Sequence, residues 1–380
     1  MKHLFGFFIA LLLLAACSRE KGSQADTLQT LKISTGDLRE QINLSDFVTK
    51  TTLIQLETTP DCILGSVDKV EICGDTLIIL DKKVGQVVMF DRKGKYLSKI
   101  KKLGKGPGEY EDLKDLYIDS QHRIHLLSWS VVLTYQTDGT FLGQTKIPIS
   151  GSHMMYLSDS LVVIKKIWSN YIEGVTGEEE TRIAVTTANF SDFTYGLPFD
   201  LRNHDSGPIT FAQVLTKSGE SVFYTEPCND TIFRITKDWI GPYLYVDFGT
   251  KKLPAEEYQL PRGELFFKVI QEGGIASSPH DYLETERYSF LSYFFEASRN
   301  FVVVDRVSGE VVQAKQVIDD FDDFIYVAPQ AVLEGKLLSV LSPLDLVEHL
   351  GGGNSEVTVG SLTIREGDNP LLLLAEPKRR

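Results

Sequence analysis

Two histidines lie three residues apart in QHRIHLL, His122 and His125. On a helix that spacing would present neighbouring imidazoles to one metal ion. The flanking residues read as a strand, however, where positions i and i+3 face opposite sides of the sheet. No metal site is therefore expected there. His204 and Asp205 in RNHDSG form a second candidate, an acid–base pair in a loop, but such neighbours in a polar loop are more often solvated surface. Asp81, Asp91 and Asp119 each close a strand-like run. A carboxylate so placed more readily accepts turn N–H bonds than it ligates calcium. No GxSxG, HExxH or EF-hand loop occurs. No catalytic residue, metal ligand or cofactor is assigned.

The loop LGKGPGEYEDL (103–113) raises the question of phosphate binding. It lacks the Lys-Ser/Thr of a P-loop and the GxGxxG spacing of a dinucleotide fold. Glu109, Glu111 and Asp112 would also repel an anion. Gly104, Gly106, Pro107, Gly108 and Glu109 are accordingly read as a structural corner, with glycine supplying positive φ and proline stiffness. Three aromatic residues are the candidate ligand contacts: Trp129 in SWS, and Trp168 and Tyr171 in KKIWSNYIEGVTGEEETRI. Exposed indole and phenol faces stack on sugar rings or peptide side chains with little rotamer entropy lost. Asn170 and Glu173 stand nearby to hydrogen-bond. The competing reading makes the aromatics packing residues between sheets.

The elements that must carry these residues are strands. VDKVEIC (67–73), DTLIILD (75–81), QVVMFD (86–91) and YLSKIKK (96–102) are short, apolar and β-branched, each closed by Gly, Asp or Lys clusters. LKDLYID, RIHLLS, VVLTYQ and FLGQTKI repeat the pattern. The register mark is DRKGKYL against QTDGTFL, with Gly94 and Gly139 45 residues apart. Four strands at a period of about 40–50 residues mark a propeller blade. YLSDSLVVIKK, TRIAVTTANF and FTYGLPF suggest a third blade. FAQVLTK, ESVFYTE, DTIFRI and YLYVDFG suggest a fourth, and YSFLSYFFEA, NFVVVDR and EVVQAKQV a fifth. In the sixth, GKLLSVLS and NPLLLLAEP are expected to pair with TTLIQLET (51–58), closing the ring and removing exposed edges. The expected fold is an all-β, six-bladed propeller of four-stranded antiparallel blades spanning 46–380. Helical insertions are expected in 253–273, from Pro254, and in 343–353. The corner then carries the chain from the rim of blade 1 to the axis of blade 2.

The N-terminus reads MKHLFGFFIALLLLAACSREKG, with an apolar run over 4–16 that is shorter than the roughly 20 residues of a membrane-spanning helix. It fits a signal peptide, 1–16. Leu14-Ala15-Ala16-Cys17 resembles the lipobox of bacterial lipoproteins, which implies lipidation of Cys17 and a tether over 17–45. A lipid-anchored chain sits on a membrane without crossing it. Hydrophobic content of 42% and charged content of 24% are ordinary for a globular body. The net charge of −13 argues against nucleic acid, whose binding rests on Lys and Arg neutralising phosphate. Cys62, Cys73 and Cys228 match no zinc spacing, and the preferred reading is buried thiols.

LIQLETTPDCILGSVDKV (53–70), GKGPGEY (104–110), DTIFRI (230–235), VDFGTKKLP (246–254) and EGDNPLLLL (366–374) resemble the six-bladed β-propeller lipoproteins of Bacteroidetes, which are related in architecture to NHL-repeat propellers. The resemblance covers nearly all of the chain after the signal and implies the fold and an envelope location, at the outer membrane on either its periplasmic or its surface face. It implies no common reaction. The favoured function is a binding module for a glycan, peptide or protein ligand. The alternatives are a hydrolase or lyase acting at the propeller mouth, and an accessory subunit of an outer-membrane complex.

Overall fold

The computed structural model describes residues 28–167, 181–198, 213–260, 262–271, 273–322, 324–326 and 328–379. They form six antiparallel blades in ring order. Blade 1 runs Lys69–Cys73, Thr76–Asp81, Gln86–Asp91, Tyr96–Ile100, and blade 2 runs Asp115–Ile118, Ile124–Ser128, Val131–Tyr135, Phe141–Lys146. Blade 3 comprises Gly151–Ser158, Leu161–Lys166, Thr181–Thr187 and Phe193–Pro198. Blade 4 comprises Leu215–Ser218, Ser221–Tyr224, Thr231–Ile235 and Ile240–Asp247. Blade 5 comprises Ser277–Glu284, Tyr288–Phe295, Ser298–Asp305 and Val311–Asp319. Blade 6 is assembled from both ends of the chain, as Ala331–Leu333, Lys336–Leu341, Leu371–Pro377 and Val48–Gln55.

The first strands of the six blades touch one another in a closed circle, so they are the inner strands and surround the axis. The two middle strands of blade 1 are buried almost throughout, because each blade is covered on both faces by its neighbours. That is why they read as continuous apolar runs. The outer strand Tyr96–Ile100 alternates instead, with one side wet. A separate apolar core fills each junction between blades. Ile78, Met89, Leu116 and Tyr135 join blade 1 to blade 2, and Ile54, Leu338, Leu77 and Phe90 join blade 6 back to blade 1. Leu372 of the last strand pairs with Ile54 of the first, closing the ring.

Three features depart from the sequence reading. Residues 17–45 were expected as a tether and lead-in with no strand assigned, and within them Gln29–Lys32 adds in parallel to the outer strand of blade 4 and Arg39–Asn43 to that of blade 5. The inner strand of blade 5, Ser277–Glu284, was not foreseen. It carries two register shifts, with Ser278 at φ 61° and Asp281 at φ 51°, so its side chains do not alternate regularly. The 253–273 insertion begins at Pro254, as expected, but is split into a 3₁₀ helix at Ala255–Gln259, with Pro254 as its N-cap, and helix α1 at Arg262–Gln271. Helix α2, Pro343–Leu350, is capped by the Ser342 hydroxyl, which accepts from the Asp345 N–H at 3.3 Å. A hairpin, Glu356–Val359 with Leu362–Arg365, follows it.

Candidate functional site

Numbering strands A to D outward, the A–B and C–D turns lie on one face of the ring, here the upper. The B–C turns and D–A connections lie on the lower. A cavity of about 610 Å³ runs along the axis and is lined by the inner strands of all six blades. It extends from Gln213 and Gln330, at the lower ends of those strands, to Gly219, Glu286 and Gly335 in the A–B turns.

Near its lower end side chains cross between blades. Gln213 Nε2 donates to the Asp68 carbonyl at 2.8 Å, linking blade 4 to blade 1 on the opposite side of the ring. The Lys69 ammonium donates to the carbonyls of Leu116 at 2.7 Å and Met154 at 2.9 Å, and lies 3.2 Å from Asp115 Oδ1. Asp115 in turn accepts from the Met154 N–H at 2.8 Å. One buried cation thus ties three blades together, and its desolvation is offset by a carboxylate and two carbonyls. The cavity is a cup with its mouth on the upper face.

The walls are partly apolar, with Val70, Ile118, Met155, Leu215 and Val332. Toward the mouth stand Glu71, Tyr156, Lys217, Glu284, Glu286 and Arg306. Glu284 is clamped by the hydroxyls of Tyr243 at 2.9 Å and Tyr282 at 2.5 Å and by Arg306 Nη2 at 3.1 Å. Burial and this carboxylate push both tyrosine hydroxyls above their usual pKa. Burial also raises the Glu71 carboxyl, opposed by Lys69. Burial lowers the Lys217 ammonium, which lies over the Tyr156 ring at 4.5 Å. Among the described residues no group of three or more His, Cys, Asp or Glu side chains is arranged to hold a metal ion.

The residues singled out by sequence lie elsewhere. Trp129 occupies the B–C turn of blade 2, on the lower face, with φ 55°, 45% exposure and the Lys114 ammonium 3.8 Å above its ring. Trp168, Tyr171, His204, Asp205 and Cys17 fall outside the described residues. The loop at 104–110 also belongs to the lower face and closes on itself. Gly106 N–H donates to the Glu109 carboxylate at 2.9 Å, which fills the position an anion would need. The Tyr135 hydroxyl donates to the Gly108 carbonyl at 2.6 Å, and Tyr110 to those of Gly85 and Ile100 at 3.0 and 3.2 Å. Gly108 holds φ 73°.

His122 is in a turn with φ 61°, not in the strand, whereas His125 is buried, stacked on Tyr117 at 4.5 Å and bonded to Asp119 at 2.8 Å. Asp119 Oδ1 accepts the N–H groups of Gln121 and Arg123, and Asp91 Oδ1 those of Lys93 and Lys95. Asp81 accepts from Val84 N–H at 3.0 Å and from Gly65 N–H at 2.8 Å. These carboxylates brace turns. Cys62, Cys73 and Cys228 are buried.

The cup was missed because its charged residues come from blades that are distant in sequence, Lys69 and Glu71 from blade 1, Lys217 from blade 4 and Glu284 from blade 5. One signal was present: VDKVEIC places Lys69 and Glu71 two apart, hence on one face, inside an otherwise apolar strand.

A family model described as "Domain of unknown function (DUF4934)" matches residues 28–376. The chain belongs to the DUF4934 family. Among solved structures, this DUF4934 chain is similar to a Bacteroides fragilis protein inferred to be exported. They share 21% identity at a TM-score of 0.72, covering 93% of this chain and 100% of that one. A DUF4221-family member from Bacteroides vulgatus is 9% identical at a TM-score of 0.49, over 87% and 97% of the two chains. A streptogramin B lyase is 10% identical at 0.41, over 81% and 78%. No curated protein matches the sequence.

Proposed function

We propose that this DUF4934 protein is a lipid-anchored binding module of the cell envelope that takes a small ligand in the axial cup. The observation that carries this reading is the cup itself. Its volume of about 610 Å³ falls within the range of small-molecule sites, and it combines apolar walls with a few converging polar groups. Gln213 and Lys69 bridge blades near the lower end, which favours entry from the upper face and gives a ligand side chains already held in place. Such preorganisation reduces the ordering cost of binding. The lipobox-like Leu14–Cys17 supports an anchor in the envelope.

One feature favours hydrolysis or lysis as a second reading. Burial raises the Glu71 carboxyl and lowers the Lys217 ammonium, moving both lining groups toward the range in which a side chain serves as general acid or base.

The test is calorimetric screening of the mature chain against glycans, short peptides and amino acids, repeated with Val332→Trp, which fills the cup. A ligand that binds wild type and is lost from a variant of unchanged melting temperature supports the cup. Ligands that bind both proteins equally refute it, and so does a screen with no binder. Product formation from a bound ligand would select the second reading.

A further inference from the structure

We infer that the axial cup selects a zwitterion with an apolar side chain, an amino acid or short peptide whose carboxylate meets Lys217 and whose ammonium meets Glu71 and Glu286. This rests on the reading of the cup as a binding site and names the chemistry of its ligand.

The charges around the cup divide into those already matched and those left over. Lys69 is committed to Asp115 at 3.2 Å and to two carbonyls. Arg306 is committed to Glu284 at 3.1 Å and donates to the Thr285 carbonyl at 2.7 Å. Glu334, at the rim, is held by both terminal nitrogens of Arg92, at 2.7 and 3.0 Å. Asp159, in the A–B turn of blade 3, accepts the Tyr156 hydroxyl.

Three groups remain. Lys217 makes one long bond, 3.4 Å, to the Leu157 carbonyl and lies over Tyr156; no carboxylate among the described residues is within ion-pair distance of it. Glu71 has, among the described residues, only Lys69 as an ion-pair partner, at 3.8 Å, and that ammonium lies nearer Asp115. Glu286 stands exposed at the mouth, in the A–B turn of blade 5.

One unmatched cation and two unmatched carboxyls decide among ligand classes. A neutral sugar would bury Lys217 and Glu71 further while giving neither a counter-charge, which is costly in a partly dry site. A simple anion would face Glu71 and Glu286. A simple cation would leave Lys217 unmatched. A zwitterion satisfies both signs, and Val70, Ile118, Met155, Leu215 and Val332 provide the surface for an apolar side chain.

The experiment is isothermal titration of the mature chain with leucine, dileucine and trileucine, and with the N-acetyl and C-amide forms of whichever binds. Free leucine binding best would identify an amino-acid site; tighter binding of the longer chains would identify a peptide site. Either cap is expected to weaken binding about tenfold or more, the scale of one charged hydrogen bond. Lys217→Met should remove the penalty for amidation but not for acetylation, and Glu71→Gln should lower the penalty for acetylation but not for amidation. Each variant is checked for an unchanged melting temperature. Capped and free peptides binding alike, or none of the zwitterions binding at millimolar concentration, overturns the inference. If a neutral glycan binds and is displaced by Val332→Trp, the cup remains a binding site and only its assignment to zwitterions falls.

Discussion

Asp230 lies buried just ahead of the blade 4 strand Thr231–Ile235. Its Oδ1 accepts from the Ser277 hydroxyl at 2.9 Å and the Ser278 N–H at 3.1 Å, whereas Oδ2 is buried with no hydrogen-bond partner among the described residues. Burial pushes the carboxyl from its ordinary 3.8 up to about 6. The folded state therefore holds this proton more tightly than the unfolded chain does. Below about pH 4 both states are protonated and the group is neutral to stability. As pH rises from about 4 to about 6, the unfolded chain releases this proton while the native state still holds it, so the native state loses relative stability, and the loss levels off above about pH 6, where the buried carboxyl ionises too. At 1.36 kcal/mol per tenfold change in proton affinity, the loss is about 3 kcal/mol. Asp230→Asn carries no proton. Its stability relative to wild type should improve by about 3 kcal/mol between pH 4 and pH 7, whatever the absolute cost of the amide. Asp319, also pushed up to about 6 by burial, imposes the same slope on both proteins and cancels in the difference. Urea unfolding followed by tryptophan fluorescence at several pH values measures it. A difference that stays flat with pH, or grows in favour of Asp230, would refute the assignment of a costly buried carboxylate.

Gly108→Val must hold φ 73° and place its Cβ 2.8 Å from the Phe141 ring, so chemical denaturation should show a loss of about 1–3 kcal/mol; Glu109→Ala, exposed and losing one bond to Gly106, should cost about 1 kcal/mol. Lys69→Met leaves Asp115 buried without its cation and should cost about 3–5 kcal/mol by the same measurement. Trp129→Ala truncates an exposed ring, so the melting temperature should scarcely move by calorimetry. Cys17→Ser should abolish incorporation of a fatty-acid analogue in metabolic labelling, and undiminished label would exclude this thiol as the anchor.

What could be read from the sequence followed from how each element is buried. Middle strands such as TLIILD and QVVMFD are covered on both faces and stand out as apolar runs, and the Gly94/Gly139 repeat fixes their period. Ser277–Glu284 is equally buried, but its bulges break the period and its polar residues are held by partners outside the strand, Ser277 by Asp230 at 2.9 Å and Glu284 by Tyr243 at 2.9 Å. QTLK and REQIN are nearly all exposed edge strands held by backbone bonds, so their side chains carry almost no pattern. The cup could not be read for a different reason. Lys69 and Glu71 of blade 1, Lys217 of blade 4 and Glu284 of blade 5 come together only once the ring is closed, and no local window contains two blades.

The pairing of the first blade 6 strand with the last also constrains the order of assembly. Gln29 meets Leu244, Arg39 meets Ala314 and Gln55 meets Leu371. The first segments to be made therefore wait for some of the last. Contacts this distant in sequence slow folding, because the chain must lose its loop entropy before the strands reward it. During synthesis blade 1 has an open apolar face, with Leu77, Val88 and Phe90, where blade 6 will pack, and Val48–Gln55 has a row of unpaired backbone groups available to any other extended chain. A chain that stops short of Leu371–Pro377 never covers that row, so truncation by a few residues at one end should destabilise the opposite end, hundreds of positions away.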